Sequence, residues 1–94
     1  MKLAELKMID TKMPKGVQAI VDFGKYELSI IQNEMSYGGN QGLYEISVFN
    51  GGEQVELPGI TNDGDTVKGY LTIDAVDAII NKMFTITGTE GKQI

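Results

Sequence analysis

The sequence predicts an α+β fold, a small antiparallel β-meander of four or five strands with one C-terminal helix packed on one face. Two observations support this prediction. Apolar and polar residues alternate in several runs between residues 17 and 57, as expected for strands that bury one face. Apolar residues in the later run 71–83 recur at helical spacing instead. A chain of 94 residues is the size of a single domain, which we assign to residues 1–94.

The N-terminal segment, residues 1–16, is compatible with two structures. Its apolar residues could form one stripe of a helix or an irregular strand. The sequence Pro14-Lys15-Gly16 ends the segment in either case, because proline and glycine interrupt both kinds of element.

The next two runs predict a β-hairpin. In residues 17–23 every second side chain is apolar, and the same alternation follows in residues 26–31. Gly24-Lys25 separates the runs, and two residues with glycine first suit a type II′ turn. Phe23 and Tyr26 fall on the inward side and are predicted to join the core.

Two further strands are predicted in the middle of the chain. Residues 44–49 alternate with Tyr44 on the inward side, and residues 53–57 follow after the tight-turn sequence Asn50-Gly51-Gly52. Residues 60–70 are rich in Asn, Asp and Gly and are predicted to form a loop.

The C-terminal part predicts one helix over residues 71–83. Thr72 can serve as the N-cap, and acidic residues lie toward the positive N-terminal end of the helix dipole. After the helix we expect a short strand at Phe84–Ile86 and a polar tail over residues 88–94.

Composition argues against several classes of function. The net charge is −5 and all eight basic residues are lysines, whereas nucleic-acid readers use arginine-rich basic surfaces, so direct DNA or RNA binding is not expected. An acidic surface can instead approach a basic partner, including a basic nucleic-acid enzyme. The chain has no cysteine and no histidine, which excludes disulfides, thiolate nucleophiles and imidazole chemistry.

The N-terminus, MKLAELKMIDTKMPKG, carries charges where a signal peptide would be apolar, and no run approaches the length of a membrane span. We therefore expect the protein in the cytoplasm, without membrane contact. A small domain buries a modest share of its surface, so a homodimer would add burial.

The glycine cluster in SYGGNQGLYEI has two interpretations, a phosphate-binding loop or a hairpin loop. A phosphate-binding loop precedes a helix N-terminus, but these glycines precede a strand and no Lys-Ser/Thr pair follows them. The hairpin interpretation is therefore favoured. Tyr37 lies within this loop, and an aromatic side chain exposed on a loop is a candidate contact residue for a partner or ligand.

The remaining polar residues offer little catalytic chemistry. The oxygen ligands in TNDGDT do not continue into the twelve-residue calcium pattern, so a turn is favoured over a metal site. Glu27 and Glu45 could share a sheet face like a glycosidase pair, but solvated strand faces look the same. We expect no enzyme, no catalytic residue, no cofactor and no metal.

The sequence SYGGNQGLYEISVF followed by DTVKGYLTIDAVDAII resembles a group of small uncharacterised proteins encoded by phages and prophages of Gram-positive bacteria. The matching residues are Ser36–Gly39, Gly42–Ile46 and Asp65–Val76. The resemblance covers roughly residues 25–83 and departs in the N-terminal extension, the NDGD loop and the tail. It implies a phage accessory context and brings no enzymatic activity or cofactor.

Together these features predict a non-enzymatic accessory protein that binds and blocks a host protein, as inhibitors of host defence such as anti-CRISPR proteins do. Small-molecule or nucleotide-signal binding and a minor structural or assembly role in the phage are the alternatives. The residues predicted to contact the partner are Tyr37, Gly38, Gly39, Asn40, Asp63 and Asp65.

Overall fold

The computed structural model describes all 94 residues as a seven-stranded antiparallel sheet with one helix. The strands are β1 (Ile9–Lys12), β2 (Lys15–Asp22), β3 (Glu27–Asn33), β4 (Tyr44–Asn50), β5 (Glu53–Val55), β6 (Val67–Leu71) and β7 (Lys92–Gln93). The helix α1 spans Ile73–Thr87, and single 3₁₀ turns occur at Leu3–Glu5 and Gly39–Gln41. The predicted α+β class with a C-terminal helix is confirmed, with more strands than expected.

The strand order in the sheet is β1-β2-β3-β4-β5, so the three long strands β2, β3 and β4 form its centre. Each outer edge is formed by two short strands that pair with different parts of one long strand. β1 and β7 both pair with β2, and β5 and β6 both pair with β4. The strand β6 replaces part of the loop predicted over residues 60–70. Its partner, β4, lies far away in the sequence, so local composition could not indicate the pairing.

The predicted turns match the structure. At the tip of the first hairpin, Gly24 has φ of +87°, the positive value that the predicted turn requires at its first central residue. The Phe23 N–H donates to the Tyr26 carbonyl at 2.8 Å and joins the two strands at this tip. Asn50 and Glu53 pair across Gly51-Gly52, as the second turn sequence indicates.

The core lies between α1 and one face of the sheet. The strand residues on this face fall in register, since Ala19 pairs with Ile30 and Ile30 with Ile46. The helix contributes Val76, Ile79, Ile80 and Met83. Phe23 is buried in this cluster, and Tyr26 and Tyr44 pack against it, as their sequence positions predicted. The opposite face of the sheet has no helix over it.

The helix begins where the sequence predicts and ends later. The Ala75 N–H donates to the Thr72 hydroxyl, so Thr72 is the N-cap. Helical structure continues through Phe84–Ile86 to Thr87, and Gly88 ends it with φ of +66° and an N–H that donates to the Phe84 carbonyl. The expected strand at Phe84–Ile86 is therefore wrong: the helix continues to its glycine cap although β-branched residues favour strands, and the Thr85 and Thr87 hydroxyls donate to carbonyls one turn earlier.

Both terminal segments are tied into the fold. Residues 1–16 form a 3₁₀ turn and the strand β1, and the Leu3 N–H donates to the Asp77 carboxylate at 2.7 Å. The expected polar tail contains β7. The Lys7 N–H donates to the side-chain oxygen of Gln93, and the side-chain nitrogen of Gln93 donates to the Lys7 carbonyl. None of the helices has the combination of length and apolar character that crossing a membrane would require.

Replacing Met83 with alanine tests the assigned core. Met83 is fully buried, so Met83→Ala should lower the free energy of unfolding by about 2–5 kcal/mol through lost burial and a cavity. The matched control is Met35→Ala, because Met35 is 78% exposed and its loss should change stability by less than about 0.5 kcal/mol. Urea unfolding followed by circular dichroism measures both, and equal effects would contradict the assigned core.

Candidate functional site

Two tyrosines from distant parts of the chain form a stacked pair on the surface. Tyr37 lies in the loop between β3 and β4, and Tyr70 lies in β6 just before the helix. Their ring centroids are 6.3 Å apart with an interplanar angle of 26°. Tyr37 is 56% exposed and Tyr70 60% exposed. Large aromatic side chains left this accessible are typical of contact surfaces.

The loop that carries Tyr37 is held by its own polar side chains. The Ser36 hydroxyl accepts from the Asn33 N–H at 2.9 Å and donates to the Asn33 carbonyl at 3.0 Å. The Asn33 side chain accepts from the Met35 N–H at 2.8 Å. The Tyr37 N–H donates to Glu45 Oε1 of β4 at 2.8 Å, so Tyr37 is fixed to the central sheet.

Close backbone approaches bring this loop against β6. A side chain at Gly69 would collide with the Tyr37 Cβ and would lie 3.1 Å from the Tyr37 carbonyl oxygen. On the other side of the contact, Gly38 is buried, and a side chain there would lie 3.0 Å from the Cα of Tyr70. The Tyr70 N–H donates to the Tyr37 carbonyl at 3.1 Å. Glycine at both positions therefore permits the tyrosines to meet.

The Tyr70 backbone adopts an unusual conformation. Its φ of +57° is the single positive value outside glycine in the chain. The left-handed region costs about 1–2 kcal/mol for a residue with a bulky side chain. Glycine or asparagine would adopt this conformation more easily. A tyrosine held there at an energetic cost is the kind of feature that accompanies functional sites.

The tyrosine pair forms one wall of a surface groove of about 270 Å³. The loop before β6 supplies the polar wall, with Asn62 and Asp65. The lining residues are Tyr37, Asn62, Asp65, Val67, Gly69 and Tyr70. Hydrogen bonds from the Asn62 N–H to the Val67 carbonyl and from the Asp65 N–H to the Asn62 carbonyl, both 3.0 Å, fix that wall. The lining of the groove thus combines two tyrosines with an aspartate and an asparagine.

The structure separates the predicted contact residues. Tyr37 and Asp65 both line the groove, although 28 positions separate them in the sequence. Gly38 is buried and Gly39 is half-buried, and both lie where a side chain would collide with the rest of the loop or with β6. Asn40 and Asp63 are exposed and do not line the groove. Tyr70 and Asn62 are not among the predicted contact residues, because the sequence predicts a loop over residues 60–70 and gives no sign that a strand there brings Tyr70 against Tyr37.

Glu27 and Glu45, the two carboxylates weighed as a catalytic pair, are not brought together. Glu27 pairs with Phe49 and Glu45 pairs with Ile31, which places the two carboxylates on one face of the sheet but toward opposite ends of β3. Across the whole chain, no three Asp or Glu side chains gather closely enough to form a candidate metal site.

Comparisons of the chain with protein-family models, with curated proteins and with solved structures return no significant match. The chemistry of the groove is therefore the basis on which its function is inferred.

A methyl group at Gly69 should disrupt the site. The added Cβ of Gly69→Ala would overlap Tyr37, so we expect the rings to separate and the free energy of unfolding to fall by about 1–3 kcal/mol. The measurement is the NMR chemical shifts of the Tyr37 and Tyr70 ring protons, with chemical denaturation for stability.

The control for this substitution is Gly42→Ala in the same loop as Tyr37. A side chain at Gly42 has no atom within 4 Å, although its φ of +74° imposes a backbone cost. Gly42→Ala should lower stability and leave the ring shifts unchanged. Unchanged ring shifts in Gly69→Ala would contradict the assigned close packing.

Proposed function

We propose that this protein is a non-enzymatic binding protein that uses the Tyr37–Tyr70 surface to occupy and block a host protein. The observation that supports this most is the exposed tyrosine pair, one member of which is held in a costly backbone conformation. Tyrosine is enriched among residues that dominate binding energy, since it contributes a large contact area with few rotatable bonds.

The neighbouring surface is also suited to a protein partner. A shallow depression beside the loop is lined by Pro14, Ile31 and Met35, and it includes Glu45, which anchors Tyr37. Met13 in the adjacent turn is 95% exposed. Exposed methionines adapt to the shape of a partner, and a standard interface of about 800 Å² per protein fits on one side of a domain this size.

A flat ligand sandwiched between the tyrosines is less compatible with the geometry. A centroid separation of 6.3 Å lies in the range of two rings in direct contact, about 4.5–7 Å. A nucleotide base would have to separate the rings before it could enter between them. The carboxylate of Asp65 in the same groove also disfavours an anionic ligand. A protein surface can instead contact the outer faces of the pair.

The biological setting we propose follows from the sequence resemblance to phage and prophage proteins. The Ser-Tyr-Gly-Gly segment and the Val-x-Gly-Tyr-Leu-Thr segment are the two motifs of that resemblance, and in the fold they meet at Tyr37 and Tyr70. The protein would then act in the cytoplasm of a Gram-positive host. An acidic chain with net charge −5 would approach a basic partner such as a nucleic-acid enzyme with electrostatic assistance.

Affinity capture with tyrosine variants tests the proposal. The tagged protein is recovered from Gram-positive lysate at physiological salt, and companions are identified by mass spectrometry. We expect one stoichiometric companion. Tyr37→Ala and Tyr70→Asn should each reduce its recovery by at least about tenfold, because hot-spot residues contribute 2 kcal/mol or more. Asparagine suits the backbone conformation at position 70, so Tyr70→Asn should retain the fold.

The matched control for these variants is Phe84→Ala, which removes another exposed aromatic ring from the helix on the far side of the sheet. It should leave recovery of the companion unchanged. Recovery of no companion, or equal recovery by the two folded tyrosine variants and wild type, would refute the proposal.

A further inference from the structure

We propose that the groove lined by Tyr37, Tyr70 and Asp65 accepts an arginine side chain of the partner protein. This inference rests on the proposed function and specifies the chemistry that the partner must present. Two features of the groove, its aromatic wall and its carboxylate wall, each favour a guanidinium group.

The aromatic wall offers an electron-rich face to a cation. Two stacked tyrosines provide adjacent rings, and each of the two residues is more than half exposed. A guanidinium is planar and weakly hydrated, so it stacks on such faces and is attracted by the ring quadrupole. Gly69 contributes only backbone to the lining, and the space that a side chain there would need is filled by Tyr37, so the missing side chain brings the two rings together.

The carboxylate wall provides the counter-charge. Asp65 Oδ1 accepts from the Thr66 N–H at 2.7 Å, and Oδ2 accepts no hydrogen bond within the chain. The Glu45 carboxylate adds negative charge next to Tyr37. No lysine lines the groove. A bound cation would therefore meet negative charge with no basic side chain among the lining residues.

The geometry distinguishes arginine from lysine. A guanidinium can stack on a tyrosine and donate to Asp65 and the Asn62 side-chain oxygen through several N–H groups at fixed angles. An ammonium is a compact, strongly hydrated charge that gains less from a flat aromatic wall. Arginine uses both walls of this groove at once.

The test is an NMR titration of the isotope-labelled full chain with three short peptides. The peptides are Gly-Arg-Gly, Gly-Lys-Gly and a neutral control in which citrulline replaces arginine, all capped at both ends. We expect the arginine peptide to shift the ring signals of Tyr37 and Tyr70 with millimolar affinity. Citrulline has nearly the same shape without the charge, so its peptide should cause much smaller shifts.

Two acidic variants provide the matched control. Asp65→Asn should weaken binding of the arginine peptide about tenfold, because it removes a charge-assisted hydrogen bond. Asp63→Asn makes the same change in net charge at an exposed neighbour outside the groove, and it should weaken binding by less than about twofold. Equal effects of the two variants would show general electrostatic attraction and overturn the assignment.

Two other results would also overturn the inference. One is the absence of tyrosine shifts at arginine-peptide concentrations on the order of 10 mM. The other is an equal response to the citrulline or lysine peptide. Affinity capture from lysate distinguishes a failure of the arginine assignment from a failure of the proposed function. If a companion depends on Tyr37 and Tyr70 while the arginine peptide fails, only the arginine assignment is lost. If no companion is captured, the proposed function is lost.

Discussion

The close approach of Tyr37 to the backbone of Gly69 is the contact on which the candidate site depends. It joins a loop that leaves one central strand to an edge strand from much later in the chain. The hydrogen bond from the Tyr70 N–H to the Tyr37 carbonyl fixes the relative position of the two segments. Without this contact the two tyrosines would be separate surface residues, and the groove would lose one wall.

The rest of the fold supports that contact. The central strand β4 carries Glu45, which holds the Tyr37 loop, and it pairs along its outer edge with β6, which carries Tyr70. The face of β4 opposite Glu45 is buried beneath α1, and this burial keeps the strand in place. A binding surface built this way requires little ordering when a partner arrives, so less of the interaction free energy is lost to entropy.

Sequence patterns predicted the local parts of this structure well. Alternation located β2, β3 and β4, Gly24 and Gly51-Gly52 located two turns, and Thr72 located the start of the helix. Elements that depend on distant partners were harder to predict. The strand β6 has five residues with a glycine in the middle, and its pairing with β4 supplies the order that its own composition does not indicate.

Only part of the candidate site could be predicted, because the rest depends on contacts between distant segments of the chain. An exposed tyrosine in a glycine-rich loop suggested contact with a partner, and Asp65 stood out as an acidic loop residue. The stacking of Tyr37 on Tyr70 required the non-local pairing of β6. The left-handed conformation of Tyr70 could not be foreseen, because tyrosine rarely adopts it and tertiary contacts impose it here.

The rate of hydrogen exchange at the Tyr70 amide tests the central structural claim most directly. This N–H donates to the Tyr37 carbonyl at 3.1 Å, so it should exchange at least about a hundredfold more slowly than an unprotected amide, which corresponds to an opening free energy of about 3 kcal/mol. An exposed loop amide such as that of Asp63 provides the fast reference. Exchange of the Tyr70 amide at the rate of that reference would contradict the account, because the two segments would not be held together.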